Sequence, residues 1–180
     1  MCETRFVKRH KSLNICIELF GCIRLCLDDI SQDNKKIISP KASLFLVAME
    51  KSEFIVSILT CEKLLSFTLH LSHILQCPKF DLISALTQVK QIIIQLEDIR
   101  KHVDEEFKKN FENAKRLALT NFQVEIKLPR INVAQLYRDN HQTSSIEEYY
   151  RVSTFIPCID NLIANLKSRF LENSDIFEAF

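Results

Sequence analysis

Hydrophobic residues in this chain recur at intervals of three and four over most of its length, the period of an amphipathic helix. Over residues 5 to 29, Leu13, Ile17, Phe20, Leu25 and Leu27 mark a broad apolar face. The polar turn SQDNKK closes it, which predicts one long first helix. Ser39-Pro40 reads as the next start, a capping hydroxyl followed by proline at the first helical position. Ala42, Phe45, Leu46 and Met49 follow at helical spacing, and the pattern runs on through Phe54 to Gln76. There Lys63, Ser66, His70 and His73 form a thin polar stripe on an otherwise apolar helix. A helix that is apolar on most sides is buried on most sides, so this is the expected central helix of a bundle. Cys77-Pro78 ends it. Asp81 is the expected cap of the next helix, whose face is Leu82, Leu86, Val89, Ile93, Leu96 and Ile99. A further helix over residues 104 to 119 carries Phe107, Phe111 and Leu117 on one side.

Between residues 120 and 145 the helical stripe stops. Val124, Ile126 and Leu128 alternate with polar residues, Pro129 follows, and the segment reads as a long connector with room for an extended run. Connectors of this length inside a compact domain are usually functional or mobile. The last helix opens on Ser145-Ile146-Glu147-Glu148, a capping box. Its apolar face is Tyr149, Val152, Phe155, Ile156, Ile159, Leu162, Ile163, Leu166 and Phe170. Pro157 sits inside it. A proline there lacks the backbone N–H and presses on the carbonyl of Ser153, which predicts a kink that lets the helix wrap a core. The expected fold is an all-α multi-helix bundle with one long irregular connector, a single helical domain over residues 1–180 and a fragment of a larger protein.

Composition agrees. The 180 residues are 47% hydrophobic and 26% charged, ordinary globular values. One glycine and four prolines suit long helices better than sheets with tight turns. A formal charge of +1 provides no global field for nucleic acid or an anionic membrane. No apolar run is long enough to span a bilayer, and Met1 is followed by CETR rather than a signal-peptide core, so an intracellular chain is expected. The seven cysteines are odd in number and contain no C-x-x-C pair, which reads as reduced, buried small hydrophobes.

Candidate chemistry is sparse. Cys61, His70, His73 and Cys77 have zinc-like residue types, but His70 and Cys77 would lie about 10 Å apart along a straight helix, too far to grip one ion. Asp28 and Asp29 read as a polar helix terminus. A phosphate-cradling loop would need more than the lone Gly21, and no nucleophile–base spacing is recognisable. Lys8, Arg9, His10 and Lys11, followed by Arg24, form a short basic cluster whose first reading is a solvated face and whose second is a nucleic-acid contact. No metal, cofactor or small-molecule substrate is expected, and no membrane.

Five segments together resemble the hAT superfamily of transposase-derived animal proteins, in its group with THAP-type and zinc finger MYM-type members. They are CETRF, SPKASLFLVAMEKSEFIVSILTCEKLLSFTLHLSHILQ, FDLISAL, PRINVAQLYRDN and EEYYRVSTFIPCIDNLIANLKSRF, in the family's order and spacing. The resemblance implies the helical domain inserted into a ribonuclease H-like catalytic core. Two catalytic aspartates would precede it and a glutamate would follow, so no catalytic residue is expected within this chain and it is not expected to be an enzyme by itself. The family's C-x-T-R-W motif, whose Arg-Trp pair acts at the cleaved DNA end, maps onto Arg5 and Phe6. Phenylalanine still stacks on a base, with a smaller face than tryptophan. Arg130, Gln135, Arg138 and Asn140 match the family's later segment, while Ala134 stands where relatives carry Arg. The resulting nucleic-acid-binding candidates are Arg5, Phe6, Lys8, Arg9, Arg130 and Arg138. The implied function is a non-catalytic, domesticated or truncated insertion domain that binds DNA or a partner protein, including a dimer partner through regions outside this stretch, in the nucleus. The alternatives are an interaction scaffold in transcriptional repression and a non-functional transposon remnant.

Overall fold

The computed structural model describes residues 5–32, 38–74, 82–129 and 145–171. Six helices precede the connector: α1 (Arg5–Glu18), α2 (Phe20–Gln32), α3 (Ser39–Glu50), α4 (Ser52–Ile74), α5 (Leu82–Lys101) and α6 (Val103–Phe122). After it come α7 (Ile146–Tyr150), a π turn over Arg151–Phe155, α8 (Ile156–Leu166) and a second π turn over Lys167–Leu171. Among the described residues there is no strand, and the chain is an all-α multi-helix bundle.

The bundle is built around α4. Ile55, Val56, Ile58 and Leu59 on its first half sit in one core with Phe20, Met49, Phe107, Phe111 and Phe155. Leu64 and Leu71 on its second half sit in another with Val89, Leu96, Ile159 and Leu166. Helices α1, α3, α5, α6 and α8 all pack against it. At ~1.5–3 kcal/mol for each fully buried aliphatic side chain, α4 makes a major apolar contribution to the fold and is the helix shared by both cores. Several of its polar residues meet partners within the bundle. Thr60 is fully buried and its hydroxyl accepts from Asn110 Nδ2 at 3.1 Å. Lys63 Nζ is 2.6 Å from Glu106 Oε2 and lies over the Phe155 ring at 5.8 Å. Thr68 and Ser72 turn their hydroxyls back onto the Leu65 and Thr68 carbonyls of their own helix.

The long first helix expected over residues 5–29 is two helices that meet at Leu19. The change of partner explains the break: α1 packs on α4, whereas α2 packs on α3. Phe20, immediately after the junction, is buried with its ring edge-on to Phe122 at 5.8 Å and stacked on Phe54 at 6.4 Å. Gly21 follows because α6 passes close by: a Cβ at this position would meet Asn121 Oδ1 at 2.7 Å. The helix expected to run unbroken from Ser39 to Gln76 is also divided, at Lys51, whose extended backbone (φ −65°, ψ 132°) ends α3. Ser39 is not the cap of α3. Ile38 holds that position, and the Ser39 hydroxyl instead donates to the Ser31 carbonyl at 2.6 Å, tying the start of α3 to the end of α2.

Helices α5 and α6 bury the expected faces: Leu86, Val89, Ile93 and Leu96 on one, Phe107 and Phe111 on the other. Ala114 and Ala118 continue the buried side of α6, which runs on to Phe122. Gln123 then caps it in the left-handed region, φ 56°, a conformation that favours glycine. Asp81, the expected cap of α5, lies outside the described residues.

Residues 124–129 form no regular element and pair with no strand. Side chains of the bundle hold this segment at both backbone groups of Lys127. Its N–H donates to Ser52 Oγ at 2.9 Å, and its carbonyl accepts from the Tyr150 hydroxyl at 2.7 Å. Burial, together with the charge of Glu53, pushes the Tyr150 hydroxyl well above its ordinary pKa, so it stays a donor. Ile126 fills the core beneath this strap. Ser145 caps α7, its hydroxyl accepting from the Glu148 N–H at 3.1 Å. Pro157 is accommodated by the π turn just before it. The Ile156 N–H reaches back five residues to the Arg151 carbonyl, and the widened turn gives the ring its room. Ion pairs then hold the last helical segment to its neighbours: Arg151 to Asp104, Arg100 to Asp160 (2.8 Å) and Lys167 to Glu97 (2.6 Å).

Asn110→Ala leaves the Thr60 hydroxyl buried without its partner and is expected to cost about 2 kcal/mol in urea denaturation. Thr60→Val in the same background should recover part of that loss. Hydrogen bonds from the Lys109 and Lys63 ammonium groups hold the Glu106 carboxyl down at about 2, against an ordinary 4.5. A carboxylate depressed in the folded state contributes stability that is complete above the unfolded value. That stability is lost as pH falls from about 4.5 toward about 2. Glu106→Gln should therefore lower stability by about 1 kcal/mol at pH 7 and flatten the acid limb of a denaturation series across that window. Gln123→Gly relieves the left-handed backbone and should raise stability by about 1 kcal/mol in the same assay.

Candidate interaction surface

Helix α3 reads SPKASLFLVAME and has little polar character on any side. Three of its residues are buried, Ser39, Ala42 and Met49, and Leu46 between them is half-buried. These four fall at intervals of three and four, a stripe that packs on α2 and α4. In a solvated helix the remaining positions would be charged. Here Leu44 is 70% exposed, Phe45 61% and Val47 57%, and Ile38 just before the helix is exposed as well. The sequence pattern puts Phe45 with Ala42, Leu46 and Met49 in the core. The structure turns it outward, at the edge of the buried stripe: it lies about 60° around the axis from Ala42, about 40° from Met49 and about 100° from Leu46. Leu25, Ile83 and Ile94 are exposed singly, whereas exposed Leu119 and Ile146 line one groove. A run of outward apolar residues on one helix marks a contact surface.

Two cations bracket this run. Lys41 and Lys51 are exposed, ten residues apart, about 15 Å along the axis. Neither ammonium group has a partner among the described residues.

The basic cluster of α1 is more divided than its sequence suggests. Arg5, Phe6 and Lys8 fall in the first turns of α1, and Arg9, one turn after Arg5, is exposed. His10, expected on a solvated face, is buried: its Nε2 faces Glu62 Oε1 of α4 at 3.8 Å. Arg24 is also drawn into packing, its guanidinium over the Phe122 ring at 5.7 Å. Arg130 and Arg138 lie outside the described residues, as does Cys77, while Cys61 is exposed on α4. Partial burial pushes the Cys16 and Cys158 thiols upward, away from thiolate chemistry.

Two concavities complete the surface. A groove of about 680 Å³ runs between the end of α6, the strap and the start of α7, floored by Leu119, Val124 and Ile146 and walled by Lys115, Glu125 and Glu147. A trough of about 350 Å³ between α4 and α5 is lined by Ser66, Phe67, Gln88, Gln91 and Gln95. Neither lining includes a histidine or a cysteine. Among the described residues, no three His, Cys, Asp or Glu side chains come together as a metal site. No helix is long and apolar enough to cross a membrane. The α3 run was visible in the sequence as an apolar stretch. Its outward aim was not, because a helix apolar on all sides gives no direction.

Comparison with known proteins gives one pair of relatives. Over 177 residues, 96% of the chain, the sequence is 27% identical to the human protein named 52 kDa repressor of the inhibitor of the protein kinase. It is 27% identical over 178 residues to the mouse protein of the same name. No protein-family model matches the chain, and no solved structure matches it significantly. The matched stretch is 23% of the length of each relative, so the chain is similar to less than a quarter of a longer repressor protein.

Proposed function

We propose that this chain is a helical insertion domain of a hAT transposase-like protein, domesticated or truncated, that acts by binding rather than by catalysis. The observation that carries the binding reading is the outward apolar run Leu44, Phe45 and Val47 on α3. Water exposure of three large apolar side chains on one short helix is costly, and a protein partner removes that cost. The distant likeness to a repressor supports a regulatory role, and with it a nuclear location. A contact with DNA through the start of α1 is the second reading, supported by the exposed Arg9 and by the sequence positions of Arg5, Phe6, Lys8, Arg130 and Arg138.

The two readings separate in one experiment. A photo-crosslinking amino acid is placed at position 47, or at the exposed position 108 as control, in the full chain expressed in cells. Protein adducts should form from position 47 at least several-fold more than from 108, and Leu44→Asp should remove them while the helical melt stays cooperative. Equal crosslinking from both positions would sink the protein-docking reading. If, in addition, the purified chain binds duplex DNA with a steep salt dependence that Arg9→Ala reduces, the DNA reading takes its place.

A further inference from the structure

Cysteine is among the most buried residue types, and the sequence pattern expects the cysteines of this chain in the core. Cys22 and Cys26 depart from that expectation: both are free thiols exposed on α2. They lie one turn apart on the same side of the helix, with Cβ atoms about 5–6 Å from each other. We propose that this pair is half of a zinc site, and that a second copy of this chain supplies the other two thiolates. The pair is separate from the α3 surface, and its test does not depend on the docking reading above.

Structural zinc is held by four donors, with sulfurs at about 2.3 Å and therefore about 3.8 Å from one another. Thiols on Cβ atoms one turn apart reach that spacing by side-chain rotation. One chain supplies only two of the donors. Asp29, one turn beyond Cys26, does not extend the set, because among the described residues no three His, Cys, Asp or Glu side chains come together as a metal site. The surroundings of the pair suit a second copy. Ile15 and Leu19 are 54% and 47% exposed. With Cys22 and Cys26 they follow a spacing of four, three and four residues, the seam of paired helices. Helical register carries through the junction of α1 and α2: the Leu19 N–H donates to the Ile15 carbonyl at 2.9 Å, and the Ile23 N–H to the Leu19 carbonyl at 2.8 Å. Leu13, Ile17, Phe20 and Leu27, on the other side of the same stretch, are packed into the core. The seam thus stays outward along one side. Two seams laid together, in either orientation, bring four sulfurs to one level and cover Leu19. Glu18 and Asp29, exposed on either side of the pair, place like charges between the copies, so association requires the bonds to the ion. Binding releases the thiol protons to solvent as the sulfurs become ligands.

The test uses the full chain, reduced and stripped of metal. Zinc should convert it from monomer to dimer in sedimentation velocity, saturating at one ion per two chains, and a chelator should reverse the change. Cobalt(II) in place of zinc should give the thiolate charge-transfer and d–d absorption of a tetrahedral tetrathiolate ion at the same stoichiometry. Cys22→Ser and Cys26→Ser are exposed, nearly isosteric changes that leave the helical melt cooperative. Each should weaken zinc-linked dimerisation by about tenfold or more, and the two together should abolish it. Cys61→Ser, also at an exposed thiol, should leave it unchanged. Saturation at one ion per chain without dimerisation would overturn the inference, as would binding that survives Cys22→Ser/Cys26→Ser, since the ligands then lie elsewhere. A dimer that forms equally with the chelator present, and is lost in Leu19→Asp, would overturn it in favour of apolar pairing alone. No zinc-dependent change in either mass or cobalt spectrum would overturn it outright. None of these outcomes alters what crosslinking from position 47 reports about α3.

Discussion

Everything in this bundle depends on burying α4. A helix of 23 residues with almost no polar side finds a stable place only where other helices surround it. The consequences reach the whole chain. The first helix divides at Leu19 so that one half covers α4 and the other turns to α3. Two hydrophobic cores form in series along α4, and α6 and α8 are drawn in to close them. Even the strap after α6 is placed by this requirement, since Ile126 fills the first core while Ser52, at the head of α4, holds the Lys127 amide.

Polar groups inside such a core are costly unless each meets a partner, and those partners make the arrangement specific. Thr60 and Asn110 fix the register of α4 against α6, and Lys63 with Glu106 repeats the contact nearly one turn further on. Apolar packing alone tolerates sliding of one helix along another. Two polar matches at different heights do not. The last helix shows the same division of labour. Phe155, Ile159 and Leu166 provide burial, while Arg151, Asp160 and Lys167 anchor its outer side to α5 and α6. The π turn before Pro157 belongs to this scheme. An extra residue in the turn shifts the face that follows, so Tyr150 and Phe155 serve the first core and Ile159 the second.

Helix α3 stands apart because it uses only a narrow stripe to dock and leaves an apolar side outward. Its composition resembles that of α4, yet the described bundle has no layer beyond it. The similarity to a known protein reaches less than a quarter of a longer repressor.

Sequence periodicity alone determined the helical class, the buried faces of α5, α6 and α8, and the Ser145 cap, because each depends on spacing along one helix or on a local hydrogen bond. Tertiary structure alone decided the rest. The breaks at Leu19 and Lys51 follow from where neighbouring helices lie. Ser39 has capping chemistry, but the nearby Ser31 carbonyl competes for its hydroxyl. His10 sits in a basic run and is nevertheless buried, because that side of α1 meets Glu62 on α4. Phe45 has the right spacing for the core and faces outward. A helical pattern specifies which residues share a side. In a helix that is apolar all round, only the positions of its neighbours determine which side is covered.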